Sequence, residues 1–271
     1  MKKFLLQLFA ILLFTACQKE ISMDKASEKI AGVDENKQVK ILVCHYDAAT
    51  GISKTIEINA NALAGHLEHG DLQGDCSTVL TTICDQDWMV KNLDVDHYRN
   101  GDPIPQVTDP SAWMGLTTGA WCYYNNDSAN GAIYGKLYNW YAVNDPRRLA
   151  PVRWHVPSYN ELKTLQECLG GREIAGGKMK AITLWNSPNI GATNESGFTG
   201  LPGGGRSNYF GIFSSSPYEW GYFWSSVQYK ADSAQYNADE AWLGLLRNED
   251  SYFHLSIFPK GTGLSVRCVR D

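Results

Sequence analysis

Apolar and polar positions divide the chain into four stretches. Residues 1–17 read MKKFLLQLFAILLFTAC: two lysines, a mainly apolar run from Phe4 to Phe14, then small residues up to Cys17. That run is shorter than the about 20 residues a membrane-spanning helix needs, and it has the build of a secretory signal peptide, residues 1–16, removed on maturation. Residues 17–40 carry many charges and almost no large apolar side chain, which predicts a flexible tether. In residues 41–76 the pattern changes again. KILVCHY alternates like a strand, DAATG is a turn, SKTIEI is a second strand, and NANALAGHLEHG forms a short helix closed by Gly70, with Asn59 or Asn61 as its cap.

Residues 77–271 hold all nine tryptophans and read as a separate domain. It opens on a strand pair, Thr82 to Val90, with a turn at Asp85 to Asp87. Two helices are predicted. One spans Tyr134 to Val143, with Leu137, Trp140 and Tyr141 on one side. The other starts at an N-cap, Ser158, with Glu161 three residues on as a capping box, and runs to Leu169 before Gly170-Gly171. Beyond residue 180 only short strands and glycine-rich turns are expected, so the fold class is α+β.

Composition narrows the function more than the fold. With 271 residues, 44% hydrophobic and 20% charged, the chain is globular, and 24 Lys and Arg against 29 Asp and Glu give −5. That balance lacks the basic excess that grips a phosphate backbone, so nucleic acid is not an expected partner. The membrane is one. Leu13-Phe14-Thr15-Ala16-Cys17 resembles a bacterial lipobox, in which the cysteine is diacylated and becomes the new first residue. The following Gln18-Lys19-Glu20 is similar to the short tag that sends Bacteroidetes lipoproteins to the outer face of the outer membrane. The resemblance implies an exported, surface-exposed outer-membrane lipoprotein anchored, by palmitate-type chains, at Cys17.

Six cysteines remain after Cys17: Cys44, Cys76, Cys84, Cys122, Cys168 and Cys268, with 15 complete pairings. In the small segment Cys44, His45, His66, His69 and Cys76 are soft-ligand residues, and His66 and His69 are spaced to share a helix face. A Cys44–Cys76 disulfide is the favoured reading in an oxidising compartment, with zinc held by these five residues as the alternative. The pattern Val43-Cys44-His45, His66-Leu67, His69-Gly70-Asp71 and Cys76 resembles a small recurrent module of exported Bacteroidetes proteins.

The long domain is identified as a member of a family by Trp88-Met89, Lys91-Asn92-Leu93, Gly119-Ala120-Trp121-Cys122-Tyr123-Tyr124-Asn125-Asn126-Asp127, Tyr134-Gly135, Leu137-Tyr138-Asn139-Trp140-Tyr141-Ala142-Val143 and Trp154-His155-Val156-Pro157-Ser158. Asn194-Glu195-Ser196-Gly197-Phe198, Leu201-Pro202-Gly203-Gly204, Trp224-Ser225-Ser226 and Ser265-Val266-Arg267-Cys268-Val269-Arg270-Asp271 complete the match. Together they resemble the Fibrobacter succinogenes major paralogous domain, related to the C-type-lectin-like fold shared with formylglycine-generating enzyme. That implies two helices beside a twisted, irregular antiparallel sheet, with the chain ends brought together near a terminal strand. The family usually has a cysteine where this chain has Ala150, partnered with the position of Cys268; the resemblance therefore implies a replacement pair, Cys168–Cys268. Cys84 and Cys122 are left to pair with each other or stay as buried thiols.

Several chemistries follow from these residues. The resemblance to formylglycine-generating enzyme raises thiol or copper catalysis at Cys122, Cys168 and Cys268. Strand alternation is read as placing Arg267 and Arg270 in solvent and Cys268 in the core, which argues against an activated thiol. His155 with Glu161 or Glu195 could form an acid–base pair, but a histidine between Trp154 and Val156-Pro157 is more often a hydrogen-bonded core residue. Gly203-Gly204-Gly205-Arg206 lacks the spacing of a phosphate cradle and reads as a tight turn or bulge. At least two thirds of the tryptophans are expected in the core.

The favoured function is a non-catalytic, lipid-anchored binding or adhesion module whose ligand is a glycan or a protein, and a purely structural surface protein is the third reading. A ligand surface is expected among Tyr209, Phe210, Tyr218, Glu219, Trp220, Trp242, Asn248 and Asp250, where aromatic faces and acceptors coincide. No cofactor is assigned; calcium and zinc are the ions these residues leave open.

Overall fold

A computed structural model describes residues 39–213, 218–230 and 239–271. The segments expected to be a signal peptide and, up to residue 38, a tether lie outside these residues, and Cys17 with them. Residues 38–271 form one compact unit, which contains both the Cys/His segment and the long domain.

The first sheet is antiparallel in the order β2-β1-β3, built from β1 (Lys40–Asp47), β2 (Ile52–Asn59) and β3 (Leu72–Gln73). Helix α1 (Leu63–Glu68) lies between β2 and β3, and α2 (Cys76–Val79) follows. Cys44 and Cys76 form a disulfide with Cα atoms 4.6 Å apart, tying β1 to α2.

The long domain opens on the hairpin β4 (Leu80–Ile83) and β5 (Gln86–Met89). Its turn is Cys84-Asp85, with φ of 53° and 64°, the two positive values of a type I′ turn that matches strand twist. The turn thus falls one residue earlier than the polar run Asp85 to Asp87 suggests. Then come α3 (Pro110–Met114), β6 (Trp121–Cys122), α4 (Ser128–Tyr134), β7 (Leu137–Tyr138), α5 (Trp140–Val143) and β8 (Trp154–His155). The single helix expected over Tyr134 to Val143 is therefore three pieces. Leu137-Tyr138 is taken by pairing with β6, and the Asn139 side chain accepts from Ala142 N, starting a new helix instead of continuing an old one.

Helix α6 (Tyr159–Cys168) begins where its cap predicts: Ser158 Oγ accepts from Glu161 N, and Ser158 N donates to Glu161 Oε2 at 2.7 Å. Leu162 and Leu165 fill its buried side. A further helix, α7 (Arg172–Met179), follows directly. The last elements are β9 (Trp220–Gln228), β10 (Glu240–Arg247), β11 (His254–Pro259) and β12 (Val269–Arg270). Strands β11-β10-β9 form one antiparallel sheet, and the order β4-β5-β12-β8 puts the C-terminal strand between the opening hairpin and β8. The architecture is a mixed α+β fold of several small antiparallel sheets.

So much irregular chain leaves many backbone carbonyls without a ladder partner, and side-chain donors supply them. Six of the nine tryptophans are buried: Trp88, Trp113, Trp121, Trp140, Trp154 and Trp224. Indole N–H groups of Trp113, Trp121, Trp140 and Trp224 donate to Gly261 O, Ile104 O, Ser225 O and Tyr138 O. Contrary to the expectation from strand alternation, Arg267 is fully buried and the Arg270 side chain is only 9% exposed. Residues 264–268 are not in a regular strand, and the Arg267 guanidinium reaches Asn92 Oδ1, Met89 O and Phe198 O while facing the Phe198 ring.

Candidate functional site

A groove lined largely by aromatic side chains is organised by Arg206, the residue that ends the glycine run. Arg206 N donates to Gly263 O, and Gly263 N to Arg206 O, so the run closes in a backbone bridge. The buried guanidinium donates to Gly211 O at 2.8 Å, Val107 O at 2.6 Å and Thr108 O at 2.8 Å, and stacks over Trp113 and Phe213. It thereby holds loop 207–213 in place. Gly211 has φ of 62°, and a Cβ there would sit 2.1 Å from Pro110 O, so only glycine lets the loop lie against α3.

With its base pinned, the loop turns its tip outward: Tyr209 and Phe210 are 65% and 69% exposed, and Ile212 is also exposed. Tyr222 of β9 and Phe258 of β11 line the groove as well, with ring centroids 5.3 Å apart. Trp220 stacks on Tyr222 at 5.9 Å with an interplanar angle of 8°. Burial pushes the Tyr222 phenol up to about 12, so the ring presents a neutral hydroxyl. The groove encloses about 480 Å³, and Ser207, Asn208 and Thr262 add polar groups to its aromatic lining. Such a surface offers flat ring faces with a few directional hydrogen-bond groups.

The other residues expected there are elsewhere. Trp220 pairs with Arg247, whereas Trp242 is five positions from Arg247 on the same strand and so on the opposite face. Trp242 packs on Tyr159 of α6 at 4.5 Å and on Tyr229. Tyr218 is exposed, with its ring 6.4 Å from Tyr134, and Glu219 is half-buried, its carbonyl accepting from Asn248 N. Asn248 is buried, with Nδ2 toward Asn186 O and Ser187 O. Asp250 accepts from Arg247, Tyr252 N and His254. Asn248 and Asp250 thus stabilise a turn, and Glu249 is the exposed member of the run Asn248-Glu249-Asp250. What the sequence reading missed is the pinning role of Arg206 and the opposing wall of Tyr222 and Phe258. No local signal marks them, because they meet only across distant segments.

The cysteines also differ from expectation. Cys168 pairs with Cys84, not with Cys268; the Cα atoms are 6.4 Å apart, and the bond fastens the end of α6 to the opening turn. Cys268 and Cys122 are buried thiols in separate core clusters, and burial pushes them up to about 12 and about 11. Neither has the lowered pKa that makes a thiol nucleophilic. His155 is part-exposed and bridges Glu161 and Asp271 at 2.8 Å each. Glu195 pairs instead with Lys178.

In the small segment His45 and His66 meet at a residue the sequence reading quoted without a role. Both Nδ1 atoms lie 2.8 Å from Asp71 Oδ2. His69 caps the helix C-terminus and is exposed, outside the cluster, while Cys44 and Cys76 are consumed by their disulfide.

These features define a class: an irregular α+β domain whose loops are pinned by buried side-chain donors and which presents an aromatic groove. The chain belongs to the Fibrobacter succinogenes major domain family, whose model matches residues 81–270. No curated protein and no solved structure matches it.

Proposed function

We propose that this chain is a non-catalytic binding module, lipid-anchored through Cys17 on the outer face of the outer membrane, with a C-type-lectin-like body that takes glycan in the Tyr209–Tyr222–Phe258 groove. The observation that carries the reading is the groove: exposed rings on a loop fixed by a buried arginine, beside small polar side chains. Ring faces stack on pyranose C–H groups, and a preset loop lowers the entropy cost of binding. The lipobox-like Leu13 to Cys17 supports the anchor. The two buried, unactivated thiols support contact over turnover.

The test is a glycan array followed by calorimetry on hits, with and without calcium. Replacing Tyr209 and Phe210 together by alanine weakens binding by about tenfold or more, as expected for stacking worth about 1–1.5 kcal/mol per ring, and leaves the melting temperature unchanged. An array without hits, or binding indifferent to that double variant, overturns the glycan reading. Mass spectrometry of the cell-derived N-terminus tests the anchor, with an unmodified Cys17 as the contrary result.

A further inference from the structure

We propose that His45, His66 and Asp71 form a binding site for a divalent ion of the zinc type. The site stands apart from the groove and does not rest on the glycan reading. His45 comes from β1, His66 from α1, and Asp71 from the turn that leads into β3. Their ligand atoms all lie within 4.8 Å of one another. Two imidazoles and one carboxylate are a donor set suited to zinc, and three protein ligands leave a fourth position for water.

Three features distinguish this arrangement from an ordinary surface cluster. First, both imidazoles aim at the same oxygen, Oδ2, while Oδ1 is held by Tyr46 N at 3.0 Å. The carboxylate is thereby oriented as a one-oxygen ligand with its second oxygen already satisfied, the outer-shell support that metal sites use. Secondly, the Asp71 side chain is fully buried, so its charge is not screened by water, whereas His45 and His66 are 33% and 23% exposed and leave an entry path. Thirdly, the frame is fixed. The disulfide at Cys44 adjoins His45, and Cys44 pairs with Leu72 beside Asp71. Gly70 has φ of 85°, and a Cβ there would fall 2.0 Å from Val152 O, so the turn that delivers Asp71 is pressed on the main body. Trp154 Nε1 donates to Gly70 O at 2.8 Å and locks that contact.

The present 2.8 Å separations are hydrogen bonds. Zinc bonds of about 2.0–2.1 Å at tetrahedral angles set ligand atoms about 3.3 Å apart, so each imidazole withdraws by about half an ångström when the ion enters. The Nδ1 proton of a neutral imidazole moves through solvent to Nε2, freeing the Nδ1 lone pair with no net proton released. An imidazolium releases one proton.

The test uses the untagged chain with its disulfides intact, stripped with chelator and titrated with zinc chloride by calorimetry. Expected are one zinc per chain, a melting temperature that rises with zinc concentration, and about tenfold or greater weakening in each of His45→Gln and His66→Gln. His69→Gln binds as the parent does. Melting in chelator first establishes that the variants are folded. If either is not, cobalt in the parent chain decides: intense visible bands of a four-coordinate ion support the site, and the weak spectrum of the hydrated ion overturns it. A parent chain without saturable zinc binding, or one-site binding that survives both histidine substitutions, also overturns the proposal.

Discussion

His155 joins three parts of the molecule: its own strand β8, the first turn of α6 through Glu161, and the chain end through Asp271. The Glu161 hydrogen bond, against the opposing effect of burial, holds the imidazole above its ordinary value of 6.5. For Glu161, burial works upward, but hydrogen bonds from His155 and Ser158 prevail and take the carboxyl down to about 2. The signs differ. The raised histidine contributes fully below pH 6.5 and loses its contribution as pH rises through the folded-state value; the lowered glutamate contributes fully above pH 4.5 and loses it as pH falls through about 2. The pair is thus at full strength between about pH 4.5 and 6.5. His155→Gln should lower the melting temperature most in that window and least above it, by about 1 kcal/mol or less because the ring is part-exposed. A pH-independent difference in thermal melts would show that the ring acts only by packing.

At the scale of elements, α6 was legible because its signals are local: a serine cap, a glutamate three residues on, leucines on one side and two glycines after the end. Ser158→Ala removes the Oγ that accepts from Glu161 N, while the backbone N–H of residue 158 keeps its bond to Glu161 Oε2. It should cost about 1 kcal/mol and lower the melting temperature by about 2–4 °C, read by calorimetry. No change would mean that packing of Leu162 and Leu165 alone sets the helix. Helix α7 left no such trace, since Gly171 makes no side-chain cap and Ile174 points to solvent. Tertiary contact forms it. The misread Tyr134 to Val143 segment is the converse case: a helical spacing of apolar residues that β6 claims for pairing. The same limit governs the sites. His45 and His66 were visible as soft ligands, but Asp71 becomes their common partner only when the chain reverses at Gly70. Strand alternation puts Arg267 in solvent and polarity beside aromatics puts Asn248 on a ligand surface, whereas both satisfy carbonyls that no ladder reaches.

For the whole molecule, the decisive question is whether the Cys/His segment is an appendage or part of the body. Its sequence has its own strand pair and helix, with a disulfide closing a separation of 32 residues, which reads as self-sufficient. The packing is otherwise. The Trp154 indole donates to Gly70 O, Arg153 Nη1 donates to Tyr46 O, and Arg270 lies between the Tyr46 and Trp154 rings and donates to Ser53 Oγ. A core tryptophan and the terminal strand of the long domain are therefore completed by residues 46–70. Replacing Cys44 and Cys76 by alanine releases a loop whose closure is worth roughly 4 kcal/mol in the chain-entropy picture. If the segment were independent, scanning calorimetry would show a new low-temperature transition with the main one unmoved. The contacts across residues 46–70 predict instead one transition, shifted down as a whole. In that single transition the histidine cluster and the long domain lose their structure together, so zinc added to the parent chain should raise the same peak that the cysteine substitutions lower.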